Sequence, residues 1–203
     1  QPDTVVILNP DHSGVSLPVS VDDHDQWVSP AGITEVDHEL ADATGLPKSP
    51  ANAREHSGEV MLPFIQYYLG MKPKILPVTI SQQNPENARQ VAESLFKAKE
   101  LLKKKITIIA SSDFSHFVNP DHGIKQDNLV INQINKLDTD AVYQTIRQNR
   151  VSVCGFGPIM TLIEYAKQVT EKPSASILSR GNSGKKRPMD HEVVDYVSMI
   201  FTE

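Results

Sequence analysis

Two short, largely apolar runs, each followed by polar residues that include a histidine, constrain the fold of this chain most strongly. The first run covers residues 5–8 and leads into His12, and the second covers residues 106–110 and leads into His116. Runs of this length and composition are typical of buried strands in α/β sheets. Because ligands bind beyond the carboxyl ends of strands in open α/β sheets, both polar segments are expected to face one cleft.

Further apolar patterns predict strands that alternate with helices along the chain. The alternation predicts an α/β fold with a layered sheet. Residues 11–54 are polar and rich in Pro, Asp and Gly, and are expected to form a long excursion with little regular structure beyond a hairpin near Trp27 and a helix near residues 36–43. The remaining strands are expected at residues 75–80, 174–179 and 193–201, and the helices at residues 57–69, 84–104, 126–137, 139–148 and 158–169.

Composition narrows the class of protein. The 203 residues suffice for one domain with a single core. A formal net charge of −5 argues against nucleic acid as a partner, and no apolar run approaches the roughly 20 residues of a membrane span. The single cysteine, Cys154, cannot form an internal disulfide and fits a reducing compartment, so a cytoplasmic location is expected.

Three partial matches to catalytic motifs fail at a required position. Met160 occupies the third glycine position of a dinucleotide-binding pattern that begins at Gly155. Lys186 stands where a phosphate-binding loop needs Ser or Thr, and Asp195 stands where a metalloprotease helix needs its second His. These failures argue against a nucleotide-binding enzyme and a metalloprotease of that class.

Polar residues at element ends are the candidates for a functional site. Each candidate could also have a purely structural role. His12 alone could be a hydrogen-bonded loop histidine, and Cys154 alone could be a small buried apolar residue. Asp113 and His116 could cap the turn after their strand, and His56 could simply pair with a neighbouring glutamate. The candidate residues are His12, His56, Asp113, His116 and Cys154.

Four segments of the chain resemble segments of the Memo family. Residues 7–12 resemble the family segment "ILGPSHH", and residues 55–64 resemble "EHSLEVQLPF". Residues 111–116 match "SSDFSH" at every position, and residues 154–159 resemble "CG..PI". Since the four segments keep the family's order and spacing, the chain is identified as a Memo-family member, similar to AmmeMemoRadiSam system protein B.

The resemblance implies a fold and a metal site. The fold would be a layered αβα sandwich around a mixed, largely parallel sheet, as in class III extradiol dioxygenases, forming a single Memo-like domain over residues 1–203. The family's metal pocket has two His ligands and one Cys ligand, and the resemblance places two of them at His12 and Cys154. The remaining ligand belongs to a "PHAGY" segment that is expected to precede residue 1, so the metal is expected to bind this chain weakly or not at all.

The same resemblance assigns His56, Asp113 and His116 to the polar wall of the pocket as catalytic residues. The chain departs from the family segments at Asn9, Asp11, Ser13 and Gly58. These departures surround the His12 ligand and bear on which metal the pocket would take. Imidazole ligands suit iron, copper and zinc, and a thiolate favours softer ions such as Cu(I).

Three functions follow as hypotheses. The first is dioxygenase-like oxidation of a small molecule or peptide by bound iron or copper, with zinc as a further candidate metal. The second is a non-catalytic binding or adaptor module that reuses the fold, with AMMECR1-like and radical-SAM proteins as partners implied by the resemblance. The third is a Cys-His-Asp hydrolase in which Cys154 is the nucleophile.

Overall fold

Strands and helices alternate along most of the chain in the computed structural model, which describes residues 1–50, 55–185 and 192–202. Residues 51–54 of the expected excursion, and Lys186 of the failed phosphate-loop match, lie outside the described residues. The strands are β1 (Thr4–Pro10), β2 (Val19–Asp22), β3 (Gln26–Ser29), β4 (Gly32–Glu35), β5 (Lys48–Ser49), β6 (Lys74–Ile80), β7 (Ile106–Ala110), β8 (His116–Val118), β9 (Ser174–Asn182) and β10 (Val193–Thr202). The helices are α1 (His38–Thr44), α2 (His56–Glu59), α3 (Leu62–Leu69), α4 (Pro85–Leu102), α5 (Pro120–Asn135), α6 (Thr139–Asn149) and α7 (Phe156–Val169).

The central sheet has five strands in the order β5-β2-β6-β1-β7. Strand β1 pairs in parallel with both β6 and β7, whereas β2 runs antiparallel to β6. The sheet is therefore mixed and largely parallel, as expected. In β1 every residue is buried, which explains why the strand reads as a continuous apolar run.

Helices cover both faces of this sheet. On one face, Val6 and Leu8 of β1 share a core with Val91 and Leu95 of α4 and with α1. On the other face, Val5 and Ile7 pack against Leu62 and Ile65 of α3. Successive residues of β1 thus point to opposite helical layers, and the αβα sandwich is confirmed. Among the described residues, no helix combines the length and the apolar character that crossing a membrane requires.

The polar stretch after β1 contains more regular structure than the sequence predicts. The hairpin of β3 and β4, which contains Trp27, and helix α1 are confirmed. The expectation of little other structure is wrong, because β2 and β5 add two strands to the central sheet. All four residues of β2 are buried. These strands are not detectable from the sequence, because two to four residues are too few to show an alternation of apolar and polar residues.

The helix expected over residues 57–69 is interrupted. It forms as two pieces, α2 and α3, and the Glu55 side chain caps the first of them by accepting the backbone N–H of Ser57. Leu62, Ile65 and Gln66 face the interior, whereas Phe64 is 64% exposed and Tyr68 is 76% exposed. The large apolar side chains of Phe64 and Tyr68 therefore lie on the outward face, which an apolar pattern alone assigns to the interior.

A second sheet of three strands has the order β8-β10-β9 and is antiparallel. It packs with α5, α6 and α7 around a separate apolar cluster that includes Phe114, Ile134 and Ile163. Strand β7 stands at the edge of the central sheet within the described residues, where Thr107 is exposed and the other four residues are partly buried. The expectation that β7 is a buried strand is therefore only partly correct, although its bounds are as predicted.

Candidate functional site

The polar segments after β1 and β7 meet at one edge of the central sheet. The two strands are adjacent and parallel, with Leu8 opposite Ala110, and the backbone N–H of Ser111 donates to the Leu8 carbonyl at 2.9 Å. The Ser111 hydroxyl donates to the carbonyl of Ser57 in α2 at 2.7 Å. Three segments that are far apart in sequence are thus brought together at the carboxyl edge, and the strand pattern predicts the meeting of the two that follow β1 and β7.

His12 is held by the carboxylate of Glu55, which is buried. The backbone N–H of His12 donates to Glu55 Oε2 at 2.5 Å, and His12 Nδ1 lies 2.9 Å from Oε1. The backbone N–H and hydroxyl of Ser57 also donate to Oε1, at 2.9 and 2.7 Å. Since Nδ1 donates to the carboxylate, Nε2 of His12 is the ring nitrogen that keeps a free lone pair.

The charge of Glu55 is maintained by these contacts. Burial by itself raises the pKa of a carboxyl group, but the hydrogen bonds from His12 and Ser57 outweigh it and hold the pKa of Glu55 below its ordinary value. His56 lies beside the same group, with its Nδ1 3.5 Å from Glu55 Oε1. The rings of His12 and His56 have their centroids 5.0 Å apart.

Asp11 fixes the loop that carries His12. Its carboxylate accepts hydrogen bonds from the backbone N–H groups of Ser13, Gly14 and Ser16 and from the Ser13 hydroxyl. Although the small burial of Asp11 opposes ionisation, these bonds lower its pKa to about 2. Asp11 and Ser13, two of the departures from the family segment, therefore support each other in shaping this loop.

Cys154 is bound to the segment after β7. Its Sγ accepts the backbone N–H of Asp113 at 3.1 Å, and its own N–H donates to the Asp113 carbonyl at 3.3 Å. Burial raises the pKa of the Cys154 thiol. A Cβ atom at Gly155 would lie 2.2 Å from the Ser111 carbonyl oxygen, so only glycine permits this close approach.

The amide side chain of Gln83 holds the other side of the same segment. It donates to the Cys154 carbonyl at 2.8 Å and accepts the backbone N–H of Gly157 at 2.6 Å. Gln83 thereby connects the end of β6 to the start of α7. Sequence reasoning missed this residue, because the contact spans 71 positions and a single Gln in a loop carries no local signal.

His116 has one ring nitrogen engaged and one near a carboxylate. Its Nδ1 lies 2.7 Å from the carbonyl oxygen of Ser152, to which it donates. Its Nε2 lies 3.7 Å from Asp113 Oδ2. The side chain of Asp113 is 48% exposed, so this pair borders solvent. The contact places the two residues of the "SSDFSH" segment side by side.

Among the described residues, one group of three donor side chains comes close enough to share a metal ion. Ligand atoms of His12, Glu55 and His56 all lie within 4.8 Å of one another. This group includes two of the predicted site residues, His12 and His56, and adds Glu55, which sequence reasoning considered only as a partner of His56. Cys154 is outside the group, so its role as a ligand beside His12 stays a prediction.

Known proteins resemble the chain over nearly its whole length. The sequence model of a family described as Memo-like protein matches residues 1–200. A "MEMO1 family protein" of Sulfolobus acidocaldarius is 37% identical over 206 residues, covering 98% of this chain and 72% of the relative. Proteins of the same description from Desulfurococcus amylolyticus and Methanobrevibacter smithii are 39% and 35% identical, covering 99% and 98% of this chain and 72% of each relative.

Proposed function

The chain belongs to the Memo family, and we propose that it is a metal-binding domain for oxidation chemistry, with its pocket at the carboxyl edge of β1 and β7. The observation that carries the proposal is the contact of His12 with the buried Glu55 carboxylate, within the close group of His12, Glu55 and His56. Imidazole is a ligand for iron, copper and zinc, so all three are candidates, and a thiolate in the ligand set favours softer ions such as Cu(I).

We assign His12 as the ligand of this group and Glu55 as the residue that positions it. Both oxygens of Glu55 already accept hydrogen bonds, so coordination by Glu55 would break contacts that hold His12 and Ser57. A metal-binding His commonly donates its second ring N–H to a carboxylate, which fixes the tautomer and the ring orientation. The Glu55–His12 contact supports this arrangement, with Nε2 directed to the metal.

Cys154 is proposed as a further ligand. Its Sγ already accepts an N–H from Asp113, a contact that stabilises a thiolate more than a thiol. In the absence of metal, burial keeps the thiol protonated, and metal binding would displace that proton. A raised pKa makes a thiol a poor nucleophile, so the geometry favours a ligand over the nucleophile of a Cys-His-Asp hydrolase.

Bound iron or copper would supply the redox chemistry, and the chain's own residues would manage protons beside it. His116 donates through Nδ1 to Ser152, which leaves Nε2 free to accept a proton from a substrate. Asp113 lies 3.7 Å from Nε2 and would stabilise the resulting imidazolium. His56 is exposed at the mouth of the group, where it can contact a small molecule or a peptide.

The proposal is tested by replacing Glu55, the residue that positions His12. We expect Glu55→Gln to lower metal affinity by about 10- to 100-fold, because Gln has no charge and only one acceptor oxygen for the donors of His12 and Ser57, so the His12 ring is no longer held in one orientation. The control is Glu59→Gln, an exposed glutamate four residues away in α2, which should leave affinity unchanged. Calorimetric titration with Fe(II) and Cu(I) under anaerobic conditions measures both. Equal affinities for wild type and Glu55→Gln, with unfolding curves that coincide, would contradict the assignment.

A binding module is the second candidate, and the surface of α3 favours it. The outward face of α3 presents Phe64, Tyr67 and Tyr68, and Tyr67 is 81% exposed. Contiguous exposed aromatic residues are typical of protein-binding surfaces. Metal binding that Glu55→Gln leaves unchanged in the same titrations would favour this alternative over the oxidation proposal.

A further inference from the structure

Two buried aspartates lie beneath the segment that carries Asp113 and His116. Asp127 of α5 has no exposed surface, and Asp195 of β10 is 4% exposed. Both border a cavity of about 270 Å³ between α5, β9 and β10. Neither residue belongs to the pocket described above, and neither was a candidate from the sequence. The residues that line the cavity are Ile124, Asp127, Arg180, Gly181, Asn182, Asp195 and Tyr196.

The two aspartates hold the site segment from two sides. Asp127 Oδ1 accepts the backbone N–H of Ser115 at 3.1 Å and its hydroxyl at 2.7 Å. The backbone of Asp195 accepts the N–H of Phe114 at 2.9 Å and donates to the carbonyl of Ser115 at 2.8 Å. The residues between Asp113 and His116 are therefore fixed by contacts to these two acids.

Each aspartate keeps one oxygen without a hydrogen-bond partner. Oδ2 of Asp127 and Oδ2 of Asp195 are both buried, and neither has a donor within the described part of the chain. Leaving a buried carboxylate oxygen unpaired is costly, so a missing donor has to be identified. Gly123 of α5 makes room for Asp195, since a Cβ atom there would lie 2.1 Å from Asp195 Oδ2.

Among the described residues, the charges that line the cavity do not balance two carboxylates. Within the described residues that line it, Arg180 of β9 supplies a positive charge, and its guanidinium lies 3.7 Å from Asp127 Oδ2. Arg180 also donates to Asn128 at 2.7 Å, so it is partly turned away. The uncharged groups that face the pair are Asn182 of β9 and Tyr196 of β10. One cation beside two buried anions leaves an excess negative charge.

We propose that Asp127 and Asp195 share a single proton, which Asp195 carries and donates to Asp127, and that this pair positions the Asp113–His116 segment. The proton supplies the missing donor and removes the excess charge in one step. Asp127 keeps its charge because Ser115 and Arg180 both stabilise the anion. Burial, followed by the neighbouring Asp127, raises the pKa of Asp195 to about 6, in agreement with this assignment.

The shared proton makes stability depend on pH in a defined direction. The pKa of Asp195 is higher in the folded chain than the ordinary value of about 4 expected on unfolding. The folded state therefore binds the extra proton between about pH 4 and 6, and the stabilisation by that proton is lost as pH rises through about 6. Deprotonation would also leave two anions facing each other beneath Ser115, which should shift the segment next to His116.

The test is carbon-detected NMR titration of the aspartate carboxyl groups in the whole chain. We expect Asp195 to titrate near pH 6 in the wild type and at a clearly lower pH in Asp127→Asn, where its charged neighbour is gone. A wild-type midpoint near the ordinary value of about 4 would overturn the proposal. This titration needs no metal, so a negative result would count against the shared proton and not against the proposed function.

The positioning role has its own readout in the same spectra. The amide signal of Ser115 should show an inflection near pH 6 in the wild type, and Asp195→Asn should remove the contribution of Asp195 to it. His116 is present in both proteins, so the difference isolates Asp195. Glu171→Gln, which changes an exposed acid, is the control and should keep the inflection. An inflection that persists unchanged in Asp195→Asn would overturn the positioning role.

Discussion

Asn9 and Gly58 lie against each other beneath the loop that carries His12. Asn9 is fully buried and donates to the Pro10 carbonyl and to Thr79, while its Oδ1 has no partner in the described part of the chain. A Cβ atom at Gly58 would lie 3.0 Å from that Oδ1. The family segments have a small Gly at the position of Asn9 and a large Leu at the position of Gly58. The two departures therefore exchange a small and a large residue across one contact.

This exchange predicts strong coupling between the two positions. Gly58→Leu alone should destabilise the chain by about 1–3 kcal/mol, because the new side chain is forced against Asn9. Asn9→Gly alone removes buried packing and should also destabilise it. The double variant should recover part of the loss, with a coupling free energy of about 0.5–3 kcal/mol measured by urea denaturation. Additive single effects would refute this account of the two departures.

Sequence reasoning located some site residues and missed the groups that hold them. Asp113 and His116 were found because their segment directly follows an apolar strand, and the structure places them side by side. The role of Glu55 was missed because its contact to His12 spans 43 residues and depends on how α2 docks onto β1. Local patterns therefore indicate candidate ligands, whereas the residues that orient them require the tertiary fold.

One buried ion pair joins the elements α1, β1 and the end of α4. Asp37 caps α1 by accepting the N–H of Leu40 at 3.0 Å, and it also accepts the hydroxyl of Thr4. Lys104, which follows α4, donates to both Asp37 oxygens at 2.7 and 2.8 Å. Burial opposes ionisation of Asp37, but these hydrogen bonds and the Lys104 charge lower its pKa. The contact secures the helical layer on one face of the sheet.

We expect Asp37→Asn to reduce the free energy of unfolding by about 1.5–3 kcal/mol at pH 7. Because the folded-state pKa of Asp37 is lowered, its contribution is complete above the ordinary value of about 4 and is lost as pH falls through the folded pKa. The difference between the wild type and the variant should therefore shrink toward pH 2. Urea denaturation at pH 7 and at low pH measures the difference.

The matched control for that experiment is Asp42→Asn in the same helix. Asp42 is exposed and pairs with Lys48 at 2.6 Å, and an exposed ion pair contributes less than about 1 kcal/mol. Asp37→Asn could reduce the free energy of unfolding no more than the control does, or the reduction could grow at low pH. Either result would show that the buried ion pair does not hold these elements together.

Elements with strong signals were predicted well, and the reasons are physical. The start of α4 was correct because Asn84 caps it, accepting the N–H of Asn87, and Pro85 occupies its first position. The burial of β7 was misjudged because an apolar strand at a sheet edge has the same composition as a central one. Strand order depends on long-range pairing, which apolar patterns do not encode.

Across the whole molecule, the proposed site combines residues from two groups of elements. His12 and Glu55 belong to the contacts of β1 and α2, whereas Asp113, His116 and Cys154 belong to the contacts of β7 and the start of α7. The hydrogen bond from Ser111 to Ser57 links them across the carboxyl edge. A metal held by both His12 and Cys154 would connect these two groups further. The proposed function depends most on this shared coordination.

The most direct test of that claim is anaerobic titration of Fe(II) and Cu(I) into the wild-type chain, His12→Ala and Cys154→Ser. We predict weak but saturable one-to-one binding in the wild type for at least one of the two ions. Each substitution should weaken that site by at least about 10-fold, because each removes a ligand. Absence of saturable binding in the wild type, or an affinity that neither substitution changes, would contradict the account.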